Sequence, residues 1–194
     1  METLLKYEFT ILDFIQSDMT SPVMDKIMTA FTYLGSGGFI WILLAVLLLS
    51  SARSRKNGFI MALSLLGCLL IGNIILKPLI GRIRPCDVNT AVDLIIKRPL
   101  DASFPSGHAM SSFAGAMCIM FYSVKYGIGA MIMAVIISFS RLYLYVHYPT
   151  DILAGAILGI LIALLSKKIV GTYLSKKNAM VIDRFSRDMR YRRN

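Results

Sequence analysis

FPSGHAMSSFAGAMCIMFYSV, residues 104–124, sets a polar turn carrying one of the chain's two histidines directly against an apolar run. Residues 109–124 have the length and polarity of a membrane helix, which puts Pro105-Ser106-Gly107 just outside its N-terminus. The first turn of a helix leaves backbone N–H groups unpaired and carries the positive end of the macrodipole. Such a terminus suits an anion, phosphate above all.

The rest of the chain supports a membrane setting. Of its 194 residues 56% are hydrophobic, and the mean hydropathy is +0.66, well outside the soluble range. A hydrocarbon layer about 30 Å thick takes roughly 20 apolar residues per helix. Five runs meet that need, near 36–52, 58–76, 108–124, 127–146 and 150–166. Gly35-Ser36-Gly37-Gly38 either begins the first span or interrupts a longer helix starting near Met28. The expected fold is therefore all-α: a polytopic helix bundle of about five transmembrane helices, forming a single domain over 1–194 with its core at 36–166. Ahead of the core, residues 1–34 read as amphipathic helices in the membrane surface. Residues 3–16 spread Leu4, Leu5, Tyr7, Phe9, Ile11, Leu12, Phe14 and Ile15 over a wide arc, with Glu8 inside it. Packing against the bundle would explain that arc equally well. Ser21-Pro22 has the form of a second helix start.

The net charge of +10 suggests nucleic acid until its placement is considered. Residues 167–194 hold nine Lys/Arg against Asp183 and Asp188, and the 51–57 loop adds three with no acid. Basic short loops stay cytoplasmic, so both segments, including the tail at 167–194, are assigned there; the basic run at 184–193 reads as a contact for anionic lipid headgroups, and no nucleic-acid partner is expected. Five spans then put the N-terminus, the 77–107 loop and the 147–150 turn outside. Cys68, Cys86 and Cys118 give no disulfide framework. The N-terminus lacks the pattern of a cleavable signal.

Lys77, Arg84, Ser106, His108, Arg141, His147 and Asp151 come from three separate segments, and this topology brings them to one membrane face. A snorkelling belt explains the cations. It does not explain why both histidines, a Ser-Gly turn and a carboxylate join them. Phosphoryl transfer needs cations and N–H donors around the equatorial oxygens, and an attacking group in line with the leaving oxygen. Lys77, Arg84 and Arg141 can neutralise a phosphate, with the Ser106 hydroxyl and the Gly107 N–H completing the cradle. Asp151 follows His147 by four residues and can orient its ring, leaving the other nitrogen to attack phosphorus. His108 is then the general acid. Two histidines and an aspartate could also bind zinc, but three neighbouring cations would repel it. No metal or other cofactor is expected.

At these residues the chain resembles the type-2 phosphatidic acid phosphatase family. Lysine, six residues, Arg-Pro is matched by Lys77 to Arg84-Pro85; Pro-Ser-Gly-His by 105–108; and Ser-Arg, five residues, His, three residues, Asp by Ser140-Arg141, His147 and Asp151. The resemblance implies a phosphohistidine on His147 held by Asp151, leaving-group protonation by His108, phosphate binding by Lys77, Arg84, Ser106, Gly107 and Arg141, and metal-independent hydrolysis. Integral members commonly have six spans, and here amphipathic helices stand in place of the first.

The expected activity is removal of the terminal phosphate of a lipid phosphate or diphosphate at the outer face of the bacterial cytoplasmic membrane. Undecaprenyl diphosphate, the cell-wall carrier lipid, is favoured over phosphatidylglycerophosphate and phosphatidate, substrates from phospholipid metabolism. A lipid phosphotransferase using the same phosphohistidine, and a non-enzymatic lipid binder or transporter, are the competing classes. The sequence leaves the oligomeric state open.

Overall fold

In the computed structural model, which describes residues 2–191, the chain is built from helices, with no strand among the described residues. Helix α1 is Glu2–Asp18, α2 Pro22–Gly35 and α3 Phe39–Ser50, the last two joined by a 3₁₀ turn at Ser36–Gly38. Helix α4, Arg55–Cys68, continues through a π-helical stretch, Leu69–Leu76, into α5, Lys77–Ile80. After the short α6, Pro85–Val88, an irregular loop leads to α7, Gly107–Tyr122, then α8, Val124–Tyr143, and α9, Pro149–Tyr191.

Among the described residues, four segments are long and apolar enough to cross a membrane: Pro22–Ser50, Arg55–Val88, Val124–Tyr143 and Pro149–Lys177. Their outward side chains are apolar, Leu43, Val46, Leu47, Leu66, Ile132, Val135 and Leu161 among them. Lipid is the solvent that such a surface fits. The chain is thus a multi-pass membrane protein. Helix α7 is shorter, with 16 residues, about 24 Å of rise. It is the central element nonetheless, packed on α4, α8 and α9 through buried Ala109, Ser112, Ala114, Gly115, Ala116 and Cys118. Ser123 alone joins it to α8, so the two run antiparallel and the start of α7 meets the end of α8.

The first membrane helix differs from the sequence expectation. That expectation places the span near 36–52 and treats residues up to 34 as amphipathic surface helices, leaving open a longer helix from about Met28 interrupted by the glycines. The second alternative is the nearer, since α2 and α3 form one bent helix over Pro22–Ser50. Gly37 and Gly38 take φ of 60° and 73°, left-handed values that glycine adopts at little cost, so the chain turns there without leaving the helix path. The Ser21 hydroxyl accepts the Met24 N–H and caps α2. Across the bundle, Trp41 of α3 donates its indole N–H to Ser112 of α7 at 3.0 Å.

Helix α1 keeps an amphipathic character, but with two apolar sides. Leu12 and Ile15 are buried against the tyrosine-rich turn after α8, while Leu4, Tyr7, Ile11 and Phe14 form an exposed stripe. Tyr143 and Tyr145 donate their hydroxyls to Asp25 and Asp13, each at 2.6 Å, tying that turn to both N-terminal helices. The side chains of the basic run at 184–193 lie outside the described residues.

Gly155 and Gly159 of α9 seat the helix directly on the backbone of α7. A Cβ on Gly155 would stand 2.7 Å from the Ser106 carbonyl oxygen, and one on Gly159 would overlap the Met110 carbonyl. Neither neighbour is a flexible side chain. Gly159→Val is therefore expected to destabilise the protein by about 1–3 kcal/mol, read as an earlier thermal unfolding transition in detergent. An unchanged transition would mean that α7 and α9 are not packed this closely.

Candidate active site

At the end of the bundle where α5, α7 and α9 begin and α8 ends lies a cavity of about 510 Å³. Lys77, Arg84, Gly107, His108, Arg141 and His147 all reach its wall. It continues between α3 and α4 past Ile42, Leu65, Leu66 and Leu69. One end is cationic and the other apolar.

His147 is almost fully enclosed, only 1% exposed. Its Nδ1 stands 3.3 Å from Asp151 Oδ2, and its Nε2 stands 3.2 Å from Arg84 Nη1. Since a guanidinium only donates, the arrangement that satisfies both places the ring proton on Nδ1 and leaves the Nε2 lone pair toward the cavity side. Burial pushes His147 well below the ordinary imidazole value, to about 3; the Asp151 bond opposes that, and Arg84 and Arg141 add to it. The ring is neutral at pH 7 as a result. The turn that presents it is sharply bent: Tyr145, with φ 58°, occupies a left-handed conformation uncommon for a large residue.

Asp151 is fully buried and fully used. Its Oδ2 accepts from Ser103 Oγ at 2.5 Å and from the Tyr148 N–H at 3.0 Å besides facing His147, and its Oδ1 accepts from Arg82 at 2.6 Å. The Asp151 carbonyl also takes the Ser106 N–H at 3.1 Å, which pins the start of α9 to the start of α7.

The three cations are held in different ways. Arg84 donates to the carbonyls of Asp101 and Val146 at 2.8 and 2.6 Å and to Asp101 Oδ1 at 2.7 Å. Lys77, almost buried, pairs with the other Asp101 oxygen. Partial burial would raise the Asp101 carboxyl, but the Lys77 hydrogen bond and the charges of Lys77 and Arg84 hold it down at about 2. Arg141 reaches across to Thr32 Oγ1 of α2 at 2.6 Å, and its buried Nε has no partner among the described residues. His108 sits at the α7 start with Nε2 3.2 Å from the Thr32 carbonyl and 3.4 Å from Ser36 Oγ.

Six of the eight residues singled out from the sequence thus share the cavity wall, and a seventh, Asp151, stands directly behind His147. Ser106 is placed differently: it is fully buried and caps α7, accepting the Ala109 N–H at 3.4 Å, so it aims the helix terminus while the adjacent Gly107 lines the cavity. Sequence reasoning passed over Asp101, Ser103, Thr32, Arg82 and Asn73. Asn73, which also lines the cavity, had left a signal, an amide inside the apolar run LLIGNIIL four residues before Lys77, at a π-helical distortion of the kind frequent at functional sites. Glu8 had left another, an acid within an apolar arc.

Comparison with known proteins identifies the family. Residues 57–174 match the PAP2 superfamily. The chain is 36% identical over 140 residues to an undecaprenyl-diphosphatase of Sulfolobus acidocaldarius, covering 72% of this chain and 68% of that one. It is 31% identical over 143 residues to the undecaprenyl-diphosphatase BcrC of Bacillus subtilis, covering 74% and 73%. Its fold superposes on the crystal structure of a transmembrane PAP2-type phosphatidylglycerolphosphate phosphatase from Bacillus subtilis with a TM-score of 0.74 and 25% identity, over 89% of this chain and 88% of that one. The chain belongs to the PAP2 superfamily, as an integral-membrane lipid phosphatase.

Proposed function

We propose that the protein removes the terminal phosphate of a polyprenyl diphosphate, undecaprenyl diphosphate in the first place, at the outer face of a bacterial cytoplasmic membrane. The carrying observation is the cavity itself, whose cationic end passes into an apolar slot between α3 and α4. A phosphate headgroup fits the first and an acyl or prenyl chain the second. The two undecaprenyl-diphosphatase relatives support the choice of lipid. The basic 51–57 loop, at the opposite end of the bundle from the site, supports the outward orientation.

His147 Nε2 attacks the terminal phosphorus and the bridging P–O bond breaks. Its proton stays on Nδ1 facing Asp151, whose charge stabilises the cationic phosphohistidine. His108 protonates the departing lipid oxygen, then takes a proton from the water that cleaves the P–N bond and releases phosphate. Lys77, Arg84, Arg141 and the Gly107 N–H carry the equatorial oxygens, with Ser106 fixing the helix end that supplies that N–H. No step needs a metal, because the cations perform the charge neutralisation.

Phosphate release by purified protein in EDTA, with undecaprenyl diphosphate, phosphatidylglycerophosphate and phosphatidate compared, tests the reading. Preference for the diphosphate and loss of turnover in His147→Ala by at least about 10³-fold are expected. Preference for a glycerophospholipid would transfer the assignment to it, and restoration of an EDTA-inactivated enzyme by zinc or magnesium would overturn the metal-free mechanism. Incoming phosphate competes with Asp101 for Lys77 and Arg84. Asp101→Asn should therefore tighten inhibition by inorganic phosphate or vanadate about tenfold, the worth of one charge-assisted bond; weaker inhibition would show that Asp101 helps to hold the anion. Finally, His147 is depressed in the fold to about 3 from about 6.5 when free, so the unfolded chain binds the extra proton in that window and stability falls as pH drops through it. His147→Asn should flatten that acid loss, and an unchanged slope would mean the imidazole is not held neutral.

A further inference from the structure

Glu8 lies 142 residues from Thr150 in the chain, yet its carboxylate is 2% exposed and bonded to the first turn of α9. Its Oε1 accepts from the Thr150 hydroxyl at 2.5 Å and the Thr150 N–H at 3.3 Å. Its Oε2 faces Arg82 Nη2 at 2.5 Å. Arg82 also donates to Asp151 Oδ1 at 2.6 Å and Thr150 Oγ1 at 2.7 Å, and its guanidinium lies 3.9 Å over the Tyr148 ring. Neither residue lines the cavity. Burying a carboxylate from a surface helix is costly unless it is paired, and α1 could have been anchored by Leu12 and Ile15 alone.

We infer that Arg82 and Glu8 are positioning residues for the nucleophile, acting on His147 through Asp151; the inference rests on His147 being that nucleophile. Arg82 locks the Asp151 oxygen that His147 does not use, so the other oxygen is held toward Nδ1. A lone arginine there would also neutralise Asp151 and leave the cationic phosphohistidine without a counter-charge. Glu8 offsets Arg82. The trio Glu8–Arg82–Asp151 carries net charge −1, and that charge is presented to the imidazole. The other charged or titratable groups facing the pair are Arg84 and Arg141, with Lys77, Asp101 and His108 across the cavity and Tyr148 beside Arg82.

The two residues have opposite electrostatic effects, which separates positioning from mere packing. In Glu8→Gln the uncompensated Arg82 lowers the basicity of His147, and the acid limb of kcat/KM moves to lower pH. In Arg82→Met the added negative charge moves it to higher pH, and in the double variant the limb returns toward that of the parent. Each single variant is expected to lose about tenfold in kcat with KM within about twofold. Arg82→Lys, which keeps the charge, should hold the limb in place, so it and Arg82→Met decide the matter should Glu8→Gln fail to fold. A second readout is independent of turnover: the chain has only two histidines, and ¹⁵N-histidine spectra in detergent should show the His147 ring shifted in opposite senses by the two single variants, identified by its absence in His147→Ala. Limb and ring signal unmoved, or moved the same way by both, would overturn the inference. Full turnover by His147→Ala would instead overturn the nucleophile assignment, leaving the ring shifts to judge the electrostatic link.

Discussion

The buried charges at the catalytic end of this bundle are each held by a polar partner, most of them by an opposite charge, and the architecture follows from that requirement. An unpaired ion in a lipid-facing helix bundle would cost several kcal/mol. Lys77 and Arg84 share Asp101, Arg82 lies between Glu8 and Asp151, and Arg141 leans on a threonine hydroxyl. These pairings join segments far apart in the chain, so the polar end rather than the apolar body decides how the helices are ordered. The body is correspondingly permissive: α3 is apolar all round, and its outer surface needs only to suit lipid.

The pairings also divide the cations by duty. Arg84 is committed by three backbone carbonyls as well as a carboxylate, which makes it a fixed donor with a set direction. Lys77 has one charged partner among the described residues, on the half-exposed side chain of Asp101, where an incoming anion can displace it. Arg141 retains a buried N–H with no partner among the described residues. A site arranged in this way offers an anion one rigid, one exchangeable and one unfilled donor, which is closer to a preorganised transition-state cradle than to a surface basic patch.

Much of this was legible in the sequence, for identifiable reasons. The span positions follow from runs of apolar residues, which hydropathy reads directly. The grouping of Lys77, Arg84, His108, Arg141 and His147 follows from topology alone, since alternation of spans puts three separated segments on one face. The bend at Ser36–Gly38 was harder: a glycine cluster signals a break but does not say whether the helix stops or resumes, and here it resumes. Asp101 and Ser103 could not be read, because a loop without periodicity carries no information on which side chain turns inward. Arg82 was hidden by its position between two motif residues, where it passes for one more basic residue at a membrane edge. Glu8 and Asn73 were visible as polar residues in apolar surroundings, but their partners were not.

The link between Glu8 and the start of α9 has a consequence for how the protein comes into being. Membrane helices are made and inserted from the N-terminus onward, and α1 is complete long before its partners exist. Until residue 151 has emerged and α9 has entered the bilayer, Glu8 and Arg82 have no Asp151 to complete them, and His147 has no carboxylate behind it. The proposed centre therefore closes like a clasp between α1 and α9, so a nascent chain that has not yet delivered α9 has no carboxylate behind His147.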